Sequence, residues 1–171
     1  MKRLDAENLL KFLEEYVRYD SGFLYVKKTW AKKSPIGKNI CILKGDYYMT
    51  SINGIWYKSH RLIYLILNKE LPEVVDHIDR NKLNNLGDNL RGCSKSENER
   101  NRTEYSTNTS GYKGVWLHKQ RSKWCAEISV DGKSIKLGLF TTPEQAAEAY
   151  NDASTKYHGE FGFQNLIKKG N

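Results

Sequence analysis

The sequence predicts an α+β fold in two parts: a strand, strand, helix unit with most of the reactive side chains, then a small three-stranded antiparallel sheet packed on one α-helix. Three observations lead there. Asn53-Gly54 and Asp131-Gly132 interrupt alternating apolar runs, the strongest short hairpin signal. Helix starts are written at Ser94 with Glu97, and at Thr142-Pro143-Glu144-Gln145. Between them NRTEYSTNTS, residues 101–110, has no apolar period and reads as an exposed linker. The expected division is 1–102 for the first domain, 103–111 for the linker and 112–167 for the second domain.

The totals narrow the classes. A chain of 171 residues can bury a core without staples. Twenty-eight Lys and Arg against 20 Asp and Glu give +8, and the pI near 9.3 favours a polyanionic partner. Cys41, Cys93 and Cys125 are odd in number and widely spaced, which supports neither a disulfide framework nor a four-cysteine zinc site. No run approaches the ~20 apolar residues of a membrane span, and MKRLDAENLL lacks the apolar region of a signal peptide. A cytoplasmic protein of a bacterial cell, phage-encoded, is expected.

In chain order, Leu9, Phe12, Leu13, Tyr16 and Val17 form the stripe of an amphipathic helix from Asp5 to Arg18, with Asp5 as N-cap. Phe23 to Val26 reads as a strand. KKTWAKKSP then reads equally as a phosphate-gripping loop with an aromatic or as a solvated surface. Ile40 to Leu43, Tyr47 to Ile52 and Ile55 to Lys58 are expected strands. HRLIYLILNK is a core helix ended by Pro72, and His60 at its start reads as a capping or packing residue before a catalytic one. Val74-Val75 lead a strand into Asp76 and His77, residues 81–88 form a polar loop, and Asn89-Leu90-Arg91 return. In the second part, residues 112–118, 124–130 and 134–140 alternate as strands, and the helix from Pro143 stops at Gly159.

The stretch VDHIDRNKLNNLGDNLRGCSKSEN, residues 75–98, concentrates the chemistry. Asp76 and Asn98 are hard oxygen donors of the kind magnesium takes, keeping several waters. His77 is a candidate general base, a role that imidazole's ordinary near-neutral titration suits. Asn89 is expected to bond across the hairpin and hold the His77 carbonyl or ring. Alternation puts Asp76 and His77 on opposite strand faces, so a shared site asks the backbone to turn in the loop that begins at Asp79.

On HRLIYLI, DHIDRNKLNN and NLRGCSKSEN, the region from about Gly22 to Arg102 resembles HNH endonucleases of the homing or phage type. The resemblance implies a ββα-metal nuclease domain, with Asp76 and Asn98 as metal ligands, His77 as general base and Asn89 as the bracing residue. It implies one Mg2+ or Mn2+ ion per site. Arg80 departs from the glycine common there. YKGVW, KWCAEI, LGLF, PEQAAEAY and Asn165-Leu166 are similar to APETALA2-type DNA-binding domains. That likeness implies a sheet that contacts double-stranded DNA through Lys113, Trp116, His118, Arg121, Glu127, Ser129, Ser134 and Lys136. Trp, His and Ser replace several arginines of the plant relatives, so base preference does not transfer.

The expectation is a magnesium-dependent DNA endonuclease acting as a monomer that cuts one strand at a time, with dimerisation as the route to both. The alternative is a non-catalytic, sequence-specific DNA-binding regulator.

Overall fold

The structure, a computed structural model, describes residues 4–101 and 108–167. Contacts divide the chain into two units, Met1–Lys95 and Ser96–Asn171. Residues 103–107 of the expected linker lie outside the described residues.

The first unit starts with α1 (Ala6–Tyr16), whose N-terminus is capped by the Asp5 carboxylate accepting from the Asn8 N–H at 2.9 Å. Leu9 and Leu13 face the core. The apolar stripe runs one position beyond the helix. Val17 is buried, but it opens β1 (Val17–Asp20), which pairs with β2 (Phe23–Val26) around Ser21 and Gly22, both at positive φ. The expected helix to Arg18 is thus shortened by two residues. A buried β-branched residue satisfies the helical spacing and the hairpin alike, and only the pairing with Val26 distinguishes them.

Strands β3 (Ile42–Lys44), β4 (Tyr47–Ile52) and β5 (Ile55–Lys58) form an antiparallel meander, turned at Asn53 and Gly54 with φ of 49° and 78°. It delivers the chain into α2 (Ser59–Asn68), which packs against α1, β2, β4 and β5. Leu62, Ile63 and Leu65 of α2 meet Leu13, Leu24 and Ile52 as fully buried side chains. The helix stops at Lys69, left-handed at φ 62°, before Pro72 is reached.

Helix α2 also backs the hairpin of β6 (Val74–His77) and β7 (Leu90–Cys93), whose register runs from Val74↔Cys93 to His77↔Leu90. The site residues of β6 are therefore held against the best-packed element of the unit.

The second unit takes in most of α3 (Lys95–Asn101) and an antiparallel sheet of β8 (Val115–His118), β9 (Lys123–Val130) and β10 (Lys133–Phe140), ordered β10-β9-β8. Helix α4 (Pro143–His158) lies against this sheet and buries Ala146, Ala147, Tyr150 and Ala153. Close approach is enforced at Gly114, where a Cβ would stand 2.2 Å from the Tyr150 ring. Thr142 caps α4 through the Gln145 N–H at 3.2 Å, while the Gln145 side chain takes the Thr141 hydroxyl instead of completing a capping box. Among the described residues no helix is long and apolar enough to cross a membrane.

Candidate active site and nucleic-acid interface

Asp76 and Arg91 face each other across the β6–β7 hairpin. Arg91 donates from Nε at 3.2 Å and from Nη2 at 3.0 Å to Asp76 Oδ2, and both side chains are about nine-tenths buried. His77 is 5% exposed, with Nε2 2.9 Å from Asn85 Oδ1 and its ring edge-on to His60 at 4.7 Å between centroids. Tyr47 lies 6.5 Å from His77 and 5.5 Å from His60.

The backbone turns in the expected loop that begins at Asp79. Pairing continues past His77, with the Ile78 N–H donating to the Asn89 carbonyl at 2.9 Å. The chain reverses at Arg80, left-handed at φ 65°, whose N–H donates to the His77 carbonyl. Asp76 and His77 accordingly have separate partners, Arg91 for one and Asn85 with His60 for the other.

Asn89 braces the loop and not the histidine. Standing in a 3₁₀ turn before β7, it accepts the Asp79 N–H at 3.0 Å and donates to Asp79 Oδ1 at 2.9 Å and to the Asn84 carbonyl at 2.8 Å. Burial works against ionisation of Asp79. Donors from Asn84, Asn89 and the Asn81 N–H outweigh it and hold the carboxyl below the usual carboxylate range. The His77 carbonyl is taken by Arg80 and the ring by Asn85, so the expected contact from Asn89 to either is replaced.

Asn85 departs from the rest of the expected polar loop 81–88. It is 2% exposed, whereas Asn81 is exposed and Asn84 half-buried. The signal that separates it is three-dimensional, because the loop folds back over the end of β6. Asn98 stands half-buried in α3, in the second unit.

His60, in the first turn of α2, is interior. Burial, the neighbouring His77 and Lys58 push it down to about 3, and its Nδ1 has no hydrogen-bond partner among the described residues. Two cations border the same aromatic: Lys58 Nζ lies 4.0 Å and Lys82 Nζ 5.2 Å from the Tyr47 centroid, and Lys82 also pairs with Asp46 at 2.9 Å. Burial and the charges of Lys82 and Arg61 lower the Lys58 ammonium. In KKTWAKKSP, Trp30 packs on Phe12 and Tyr16, Lys27 donates to the Glu14 carbonyl and Lys28 pairs with Glu15. That half of the loop is a flap on α1, which favours the structural reading of it.

In the second unit Trp116 and His118 stack at 5.8 Å, and Glu127↔Lys136 and Ser129↔Ser134 are cross-strand pairs. Ser134 donates to Glu127. These six share the sheet face opposite the one that Val115, Ala126 and Ile128 bury beneath α4. Arg121 lies off that face in an exposed 3₁₀ turn. Lys113 precedes β8, and its ammonium donates to the Arg100 carbonyl at 2.8 Å and lies 5.2 Å from the Phe163 centroid.

A model of the HNH endonuclease family matches residues 57–100, the span that holds Asp76, His77, Asn89 and Asn98. Protein 3.8 of Escherichia phage T7 is 32% identical over 106 residues, covering 61% of this chain and 87% of that protein. The chain belongs to the HNH endonuclease family. An uncharacterized HNH endonuclease of Acanthamoeba polyphaga mimivirus is 35% identical over 111 residues, 63% of this HNH chain and 57% of the viral protein. The chain thus spans a little over half the length of that relative. Its C-terminal part is 42% identical over 57 residues to an AP2-like ethylene-responsive transcription factor of Arabidopsis thaliana, 32% of this chain and 10% of the plant protein. This supports an AP2-type DNA-binding domain after the HNH segment. No solved structure matches the chain.

Proposed function

We propose that this HNH chain is a divalent-metal-dependent endonuclease that hydrolyses phosphodiester bonds of double-stranded DNA at a preferred site. The observation that carries the reading is the Asp76-His77 pair on a buried hairpin strand, inside the span that matches the HNH family. His77 is the general base on water, and its ring is already oriented by Asn85 at 2.9 Å. Arg91 fixes the Asp76 carboxylate, and Asn89 fixes the loop that carries Asn85. Lys58 and Lys82 beside Tyr47 offer cationic ground for the DNA backbone next to His77.

The donor set suits a hard cation that keeps most of its waters. Asp76 and, by its place in the motif, Asn98 offer oxygens, and no cluster of three or more His, Cys, Asp or Glu occurs among the described residues. Mg2+ or Mn2+ held by Asp76 and Asn98, one per site, would supply charge neutralisation at the phosphoryl and departing 3′ oxygens.

The functional division is 1–102 for the nuclease, 103–111 for the linker and 112–167 for the DNA reader. It assigns α3 to the nuclease because the family match runs through residue 100. Trp116, His118, Glu127, Ser129, Ser134 and Lys136 form the reading face, with Arg121 and Lys113 beside it as backbone contacts. One site per chain makes the monomer a nicking enzyme, and the relative in phage T7 fits a phage-encoded protein.

Supercoiled plasmid incubated with and without Mg2+ tests the reading. Nicking or linearisation that needs the ion is expected. Tight DNA binding with no strand break in any divalent ion would identify a regulator instead.

A further inference from the structure

We propose that Asn85 is the positioning residue of His77, fixing the ring as the Nε2–H tautomer and leaving Nδ1 as the basic nitrogen. The inference rests on the reading of His77 as the general base and adds to it the identity of the atom that takes the proton and of the group that selects it.

The argument starts from the inventory of an amide. A side-chain carbonyl oxygen accepts and cannot donate, so Asn85 Oδ1 at 2.9 Å from His77 Nε2 requires the proton on that nitrogen. A neutral imidazole has one N–H, and placing it at Nε2 leaves the lone pair at Nδ1. The ring is kept from reorienting on two further sides, by His60 at 4.7 Å and Tyr47 at 6.5 Å. His60 sits edge-on to His77 and is buried, so rotation of His77 would require His60 to move.

Burial distinguishes Asn85 from its neighbours. At 2% exposure it is the deepest residue of a loop that is otherwise largely open to solvent, and its Nδ2 has no hydrogen-bond partner among the described residues. A buried amide with one end unpaired destabilises the fold, so packing alone does not account for it. Its anchoring explains the role of Asn89 as well. Asn89 Nδ2 holds the Asn84 carbonyl at 2.8 Å, one residue before Asn85, and on the other side the Asn85 backbone lies 3.5 Å from where a Gly22 Cβ would be. Asn89 therefore acts on His77 through Asn85 and not by touching it.

The test separates the hydrogen bond from the volume. Asn85→Leu keeps the bulk and removes the acceptor, while Asn85→Asp keeps the acceptor. On the full chain with Mg2+ and cognate plasmid, Asn85→Leu is expected to lower kcat by about 10²- to 10⁴-fold, the range for losing a positioned base, with KM and DNA affinity unchanged. Asn85→Asp should restore kcat to within about tenfold of wild type, which a purely structural role would not produce. Long-range ¹H–¹⁵N correlation on ¹⁵N-histidine-labelled protein reports the tautomer without any turnover. The Nε2–H form is expected for His77 in the wild type and is lost in Asn85→Leu. An Nδ1–H spectrum in the wild type, or full cleavage by Asn85→Leu, overturns the proposal. Wild type that cuts no DNA, or His77→Ala that still cuts, defeats the nuclease reading instead, and the tautomer spectrum then still decides whether Asn85 sets the ring.

Discussion

His60 illustrates how one side chain couples the site to stability. At 4% exposure the ring resists a proton down to about pH 3, whereas in the unfolded chain it takes one near 6.5. Protons therefore favour the unfolded state throughout that window, and stability is lost as pH falls from about 6.5 towards 3, by at most about 1.4 kcal/mol per pH unit. Replacing the ring by His60→Phe removes the proton site and keeps an aromatic against His77. Urea unfolding followed at pH 7.0, 6.0 and 5.0 is expected to show a shallower acid loss in His60→Phe than in wild type, and equal slopes would refute the assignment. At the neighbouring residue a different readout applies. His77→Ala is expected to abolish strand cleavage, by about 10²-fold or more, and to leave the DNA dissociation constant within about twofold. Retained cleavage would remove His77 from the chemistry.

At the scale of elements, the β6–β7 hairpin holds Asp76 and Arg91 as a nearly dry cross-strand ion pair. Removing one partner leaves the other charge buried, the situation in which such pairs matter most. Arg91→Met is expected to cost about 3 kcal/mol in denaturant unfolding, and adding Asp76→Asn to it should recover part of that loss. A purely additive double mutant would show that the pair is not coupled. The hairpin also shows what could be read from sequence. Asn53-Gly54, Asp131-Gly132, the Asp5 and Thr142 caps and the apolar run of α2 were legible because each is a local signal in consecutive residues. Val17 was assigned to a helix because its spacing fits both periods, and the pairing with Val26 that decides it is not local. The β6 strand that carries Asp76 and His77 and the two-face alternation of β8–β10 were legible as motif and period. The partners of the site were not, since Arg91, Asn85 and His60 reach it from 15, 8 and 17 residues away.

At the scale of the whole molecule, the proposed base His77 and the proposed reading face of the sheet fall in different units, so their effects on DNA should separate in experiment. Phosphate contacts set the salt dependence of binding, about 0.9 in log K per log unit of salt for each phosphate neutralised. Lys58 and Lys82, close to Tyr47 in the first unit, are placed to make such contacts, and the mutual repulsion felt by Lys58 favours an anion between them. Lys58→Ala with Lys82→Ala is expected to flatten the salt slope by about 1.8 and to weaken all sequences alike. The reading face has a different signature. Trp116 is 44% exposed and stacked on His118, an apolar plate suited to base edges and thymine methyls. Trp116→Ala should leave the salt slope nearly unchanged and reduce the preference for the cognate site, so that end-sequencing of a digested genome returns a broader set of cut positions with the same cleavage chemistry at each. If instead Trp116→Ala lowered the slope and kept the cut positions sharp, site choice would have to lie in the hairpin unit and the sheet would act as a general DNA clamp.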